Sequence, residues 1–111
     1  MPIKEILEML SEFDVSTYPD TRKEGICYSI FPVICDGALG TCQLEITISN
    51  TLFSKCVEIS NNIIKKITTL GDLQDKESIT YISQSGGGCY KDNDLNVYKM
   101  KVNFAVNYRL H

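Results

Sequence analysis

Few side chains in this 111-residue chain are of a kind that does chemistry. Its five cysteines (Cys27, Cys35, Cys42, Cys56, Cys89) stand out first, because thiolates attack carbonyls, bind soft metals and pair into disulfides. Their spacings of 8, 7, 14 and 33 residues contain no CxxC pair and match no zinc framework. A nucleophilic thiol needs a base to take its proton, and the one histidine, His111, is the terminal residue, a poor place for a pre-organised site. The cysteines therefore read as reduced, mostly buried structural thiols. Gly86-Gly87-Gly88 invites comparison with a phosphate-cradling loop. Such a loop leads through GK[ST] into a helix whose amides hold the phosphate, whereas Cys89-Tyr90 and then a β-like segment follow here. Asp92 and Asp94 lack the DxDxDG spacing of a calcium loop, and Glu45 has no carboxylate partner nearby in sequence. The expectation is a protein that is not an enzyme and carries no cofactor or metal.

The remaining candidates are contact residues. Lys99, Lys101 and Arg109 share one parity of residues 98–110, while Tyr98, Met100, Val102, Phe104, Val106, Tyr108 and Leu110 share the other. Successive strand side chains point to opposite faces, so the alternation predicts a strand with one buried and one wet face. At about 3.3 Å per residue it would run roughly 40 Å. Basic residues interleaved with aromatics on one sheet face bind single-stranded nucleic acid. The aromatics of this strand take the opposite parity from its basics, so the wet face is expected to be solvated or covered by a neighbouring subunit. The glycine trio and Tyr90 belong, on this reading, to a flexible loop over residues 84–94 that orders against a partner.

These candidates must be positioned by a small number of elements. Ile3, Ile6, Leu7, Leu10 and Phe13 recur at helical steps, predicting a helix over about 2–13, followed by a polar loop over 16–25. A β-hairpin is expected over about 26–49. Pro32 demands an edge position, a bulge or a break in its first strand, and residues 36–40 form the turn. A symmetric turn would set Cys35 opposite Cys42. A long helix over about 51–70 follows, with Asn50 or Ser49 as N-cap and Gly71 as C-cap. A second hairpin over about 79–110 completes the order α-β-β-α-β-β. The fold expected is α+β, a single domain over 1–111. Its antiparallel sheet of about four strands packs against the long helix, with the N-terminal helix beside it.

The bulk composition agrees with a folded structural domain. Apolar residues make up 43% and charged residues 23%, and a net charge of −3 gives no global attraction to nucleic acid or anionic membrane. No apolar run approaches the roughly 20 residues of a membrane span, and the N-terminus has no signal-peptide pattern, so a cytoplasmic origin is expected.

The layout resembles the tail-terminator and head–tail joining proteins of tailed bacteriophages, including small "minor capsid" proteins. The residues that carry the resemblance are the alternating strand over 41–49, the long helix over 50–70, and Lys101-Val102-Asn103-Phe104-Ala105-Val106-Asn107-Tyr108 at the end. It implies a small α+β subunit of a hexameric ring that caps the tail tube and presents a surface to the head connector or neck proteins. Such a ring belongs to a virion or phage-tail-like particle assembled in bacterial cytoplasm, with DNA passing its lumen but not recognised there. Subunit or partner contacts then fall to Gly86, Gly87, Gly88, Tyr90, Lys99, Lys101 and Arg109. The alternative is a small α+β ligand- or nucleic-acid-binding regulatory module.

Overall fold

The computed structural model describes residues 3–13, 15–17, 24–37, 39–68 and 79–109. The architecture is α+β: a mixed five-stranded sheet with both helices on one of its faces.

Helix α1 (Ile3–Met9) uses the expected apolar stripe, burying Ile6, Met9 and the following Leu10, yet it ends earlier than residue 13. Beyond Met9 the backbone tightens. The Leu10 N–H is shared between the Ile6 and Leu7 carbonyls at 3.2 Å each, and the Phe13 N–H reaches the Leu10 carbonyl at 3.0 Å. This turn delivers strand β1 (Val15–Thr17) parallel to strand β2 (Gly25–Asp36), with Val15 opposite Ile26. A loop was expected from residue 16. Three residues are too few for periodicity to show, and parallel pairing depends on whatever strand lies alongside. This one short strand makes the sheet mixed and five-stranded where an antiparallel sheet of four was expected.

Strands β2 and β3 (Leu39–Asn50) form the first hairpin, with Gly37 at φ +62° in its turn. Pro32 acts as expected: it has no N–H for the ladder, and the register shifts between Pro32 and Ile34, leaving Val33 as the extra residue of a bulge. The turn is shorter than the expected 36–40, because Asp36 already pairs with Leu39. Cys35 therefore stands opposite Gly40, and Cys42 opposite Pro32, which removes the expected Cys35–Cys42 pair.

The chain leaves β3 through Asn50, whose side-chain Oδ1 accepts the Leu52 N–H at 2.9 Å, and enters helix α2 (Phe53–Thr68). The proposed C-cap Gly71 lies outside the described residues. Cys56, Ser60, Ile63 and Ile67 form the buried stripe of α2, which packs on β3, β5 and β4. Phe53 belongs to the apolar spacing but sits on the helix shoulder, 48% exposed, with its ring edge-on to Tyr98 at 5.7 Å between centroids.

The largest departure from expectation is strand β4 (Ile79–Asp92). It does not stop at residue 84; it runs on through the glycines, with Gly86 opposite Asn103, Gly87 opposite Val102 and Gly88 opposite Lys101 of strand β5 (Val97–Arg109). Glycine lowers local strand propensity, but a ladder is built from main-chain groups that glycine also has, and a strongly alternating partner supplies the template. A bulge between Gln84 and Gly86 absorbs the irregularity. The turn that follows is tight: Asp92 Oδ1 accepts the N–H groups of Asp94 at 3.0 Å and Leu95 at 3.2 Å, and Asn96 takes φ +57°.

The strand order β1-β2-β3-β5-β4 puts β5 between β3 and β4, and α2 crosses over it. Central placement explains the long alternation of β5. Val102, Phe104, Val106 and Tyr108 enter the core with Leu44, Ile46 and Ile48, while α1 and α2 close that face. Among the described residues no helix covers the other face.

Candidate assembly surface

Every second residue of the central strands points away from the helices, and these residues build the bare face. β5 contributes Lys99, Lys101, Asn103, Ala105, Asn107 and Arg109; β3 contributes Leu39, Thr41, Gln43, Glu45, Thr47 and Ser49. Short polar bridges link the side chains of this face. Thr41 Oγ1 donates to Asn107 Oδ1 at 2.8 Å, and Lys99 Nζ donates to Ser49 Oγ at 3.3 Å. Gln43 Nε2 reaches from β3 right across β5 to Ser85 Oγ on β4 at 3.0 Å. That reach is open because Ala105, opposite Gln43, has only a methyl group. Thr47, Ser49 and Cys27 are nearly buried even on this face, screened by their longer neighbours. A recess of about 190 Å³ remains between Cys27, Ser29, Glu45, Thr47 and Lys101. Nearby, Asn103 Oδ1 is buried without a hydrogen-bond donor.

The structure brings most of the sequence-derived contact residues together. Tyr90 lies opposite Lys99, Gly88 opposite Lys101 and Gly86 opposite Asn103, which places all five named candidates among them at one end of the bare face and the outer strand. Gly87 is the exception on that strand: it pairs with Val102, so its α-carbon turns toward the helices, where a Cβ would run into the Lys101 carbonyl oxygen. Arg109 sits apart, opposite Leu39, ten residues further along β5. At about 3.3 Å per residue that is roughly 33 Å from Lys99.

Sequence reasoning missed three apolar members of the face. Phe31 (41% exposed) lies opposite Gln43, Leu39 (58%) opposite Arg109, and Tyr81 (54%) opposite Asn107. The signal for Phe31 and Leu39 was available in the parity of β2 and β3, whereas Tyr81 stands on β4 just past the register shift between Ile79 and Tyr81, which hides its parity. Neighbouring strands thus supply aromatics that β5 itself turns inward; Phe104 and Tyr108 of β5 are buried in the core.

On the helix side a shallow groove of about 400 Å³ separates Ser60 of α2 from Gln84, Cys89 and Met100; Gly87, whose α-carbon faces that side, has no side chain to fill it. Cys89 is exposed there, whereas Cys27, Cys42 and Cys56 are buried. Burial pushes the Cys42 thiol above the ordinary value of 9.0. Burial and, secondarily, the neighbouring Cys89 do the same for Cys56, whose Sγ lies 3.6 Å from the Tyr98 carbonyl oxygen. A raised thiol pKa keeps these groups protonated and poorly nucleophilic. Among the described residues no three His, Cys, Asp or Glu side chains gather closely enough to hold a metal ion.

The bare face is therefore a polar-bridged sheet surface with apolar Phe31, Leu39 and Tyr81 toward the Arg109 end and cations at both ends. No protein-family model matches the chain, and no curated protein does. Its fold is similar to that of a chain solved in the virion of a native gene transfer agent (GTA) particle. The TM-score is 0.57 at 6% sequence identity, and the match covers 94% of this chain and 84% of that chain. At that identity the likeness is one of fold.

Proposed function

We propose that this chain is a structural subunit of a phage-like virion, of the tail-terminator or head–tail joining kind, which assembles as a hexameric ring on the end of the tail tube. The observation that carries the reading is the fold shared, over nearly the whole chain, with a component of a gene transfer agent virion. The bare sheet face supports it. A single-layer sheet with apolar Phe31, Leu39 and Tyr81 on its uncovered side is the kind of surface that a neighbouring subunit closes. The partners on this reading are further copies of the chain, the tail tube protein and the connector or neck proteins.

Negative-stain microscopy and sedimentation of the purified protein, alone and with a tail tube protein, test the proposal. Six-membered rings, and tubes capped at one end, are the expected result. A protein that stays monomeric at high concentration and ignores tubes overturns it. One observation favours a second reading: Tyr90 beside Lys99, with Tyr81 and Phe31 on the same face, places aromatic and basic groups where single-stranded nucleic acid would stack. Salt-dependent binding of an oligonucleotide by a monomer would select that reading.

A further inference from the structure

The groove between α2 and the outer strands gathers sulfur. Cys89 of β4 stands directly opposite Met100 of β5, and Met100 stands opposite Ile48 of β3, so these residues share one row of the sheet. Cys89 and Met100 both line the helix-side groove. Directly paired residues on adjoining strands have Cβ atoms about 4.5–5.5 Å apart, which makes the thiol and the thioether neighbours. A third sulfur comes from the helix above. Cys56 Sγ lies 3.9 Å from the Ile48 carbonyl oxygen and 3.6 Å from that of Tyr98, so it sits over the β3 and β5 backbone beside Met100. Ser60, one helical turn further along the same buried stripe, forms the α2 wall of the groove. Burial raises the Cys56 thiol most, and the next cause is Cys89, which therefore lies within electrostatic reach. Cys56 is buried, Met100 half-buried and Cys89 exposed, so the sulfurs lead from the core to solvent. A disulfide does not fit this arrangement. It needs Cα atoms within about 7 Å of each other, and the strand that carries Met100 separates the two cysteines. An ion spans more: two metal–sulfur bonds of roughly 2.3 Å bridge sulfurs that a covalent S–S bond cannot join.

We propose that Cys56, Cys89 and Met100 form a binding site for a soft monovalent cation of the Cu(I) class, with two thiolates and one thioether closing a three-coordinate sulfur set. Thiolate and thioether ligands select such an ion over the hard cations that oxygen ligands take. Each thiol gives its proton to solvent as the ion binds, so binding tightens as pH rises. The bound ion ties α2 to β4, the outermost strand, which β5 alone pairs among the described residues. Binding to the folded chain then raises its stability by mass action. The site stands independently of the ring reading.

Anaerobic titration with Ag(I), a redox-inert stand-in for Cu(I), tests the site in a Cys35→Ser background, which removes one competing thiol. With methionine labelled at its methyl carbon, one equivalent of Ag(I) should shift the Met100 resonance and leave those of Met1 and Met9 in place. The melting temperature should rise with the same stoichiometry. Met100→Leu keeps the side-chain volume and should weaken binding about tenfold, whereas Cys89→Ser and Cys56→Ala should each abolish the one-to-one complex. Circular dichroism shows whether each variant is folded; the Met100 methyl shift and Met100→Leu decide the question even where Cys56→Ala does not fold. A Met100 methyl that stays in place overturns the site. So does binding that disappears with Cys89→Ser but is unchanged by Met100→Leu and Cys56→Ala, because an exposed thiol alone then takes the ion. One Ag(I) shared between two chains through Cys89 overturns it as well.

Discussion

Single alanine substitutions at the three consecutive glycines of β4 should destabilise at two positions, for different reasons, and stabilise at the third. At Gly87 a Cβ would be forced against the carbonyl oxygen of Lys101. That oxygen belongs to β5, which is held on its other side by β3, so the backbone cannot yield and β4 must move outward. Overpacking of this kind costs roughly 1–3 kcal/mol. At Gly86 there is space, but φ is +155°, which L-residues rarely adopt, and Gly86→Ala costs of order 1–3 kcal/mol through backbone strain. At Gly88 nothing lies within 4 Å of the new Cβ, so Gly88→Ala should stabilise by about 0.4–1 kcal/mol by restricting the unfolded chain. The Gly87 and Gly88 variants then differ by roughly 1.5–4 kcal/mol, or on the order of 10 °C in Tm for a domain of this size. Thermal and urea unfolding measure the difference, with the urea slope checking that the unfolded state is unchanged. Near-equal, near-zero effects at Gly87 and Gly88 would mean that the segment is the flexible loop its composition suggests. Equal losses at both would mean that the crowding lies elsewhere.

Other consequences are simpler to state. Phe104→Ala should cost about 3–5 kcal/mol in urea unfolding, because the ring is wholly buried on the interior strand β5. Thr41→Val removes the hydroxyl that bridges to Asn107 and should cost about 0.5–1.5 kcal/mol in the same assay, leaving the fold intact by circular dichroism. In the native protein a thiol reagent followed by peptide mapping should label Cys89 rapidly and leave Cys27, Cys42 and Cys56 unlabelled until unfolding. The pH dependence follows from burial of Cys42 and Cys56, which raises both above 9.0. Above that value the unfolded chain loses these protons before the native one does, so it binds fewer protons. This contribution to stability is complete below about pH 9 and is lost as pH rises through the raised native values; urea melts at a series of alkaline pH values should show the fall, and Cys42→Ala should reduce it.

Much of the element order is legible in the sequence, for local reasons. The alternation of β3 and β5 and the stripe of α2 are repeated many times over, and each repeat is a vote for one period. Pro32 announces its bulge because a missing N–H has the same consequence in any ladder. Where the reading failed, the signal was non-local. The three residues of β1 hold too few side chains to show a period, and they become a strand because β2 lies beside them. The glycines of β4 look like a loop from within the segment, yet β5 presents the partner that makes them a strand. Cys35 and Cys42 are separated by a turn shorter than the expected one, a difference the side chains of the turn do not specify.

The candidate surface divides along the same line. The parity of Lys99, Lys101 and Arg109 follows from sequence alone, because side-chain direction in a strand alternates wherever the strand is placed. Their company does not. Phe31, Leu39 and Tyr81 come from three other stretches of chain, and only the strand order and register set them on one face with those cations. By itself the sequence determined that this chain makes amphipathic helices and strands. The tertiary structure decided which wet faces merge into one surface and that both helices lie on the opposite side, because pairing register and layer packing depend on contacts between residues far apart in the chain.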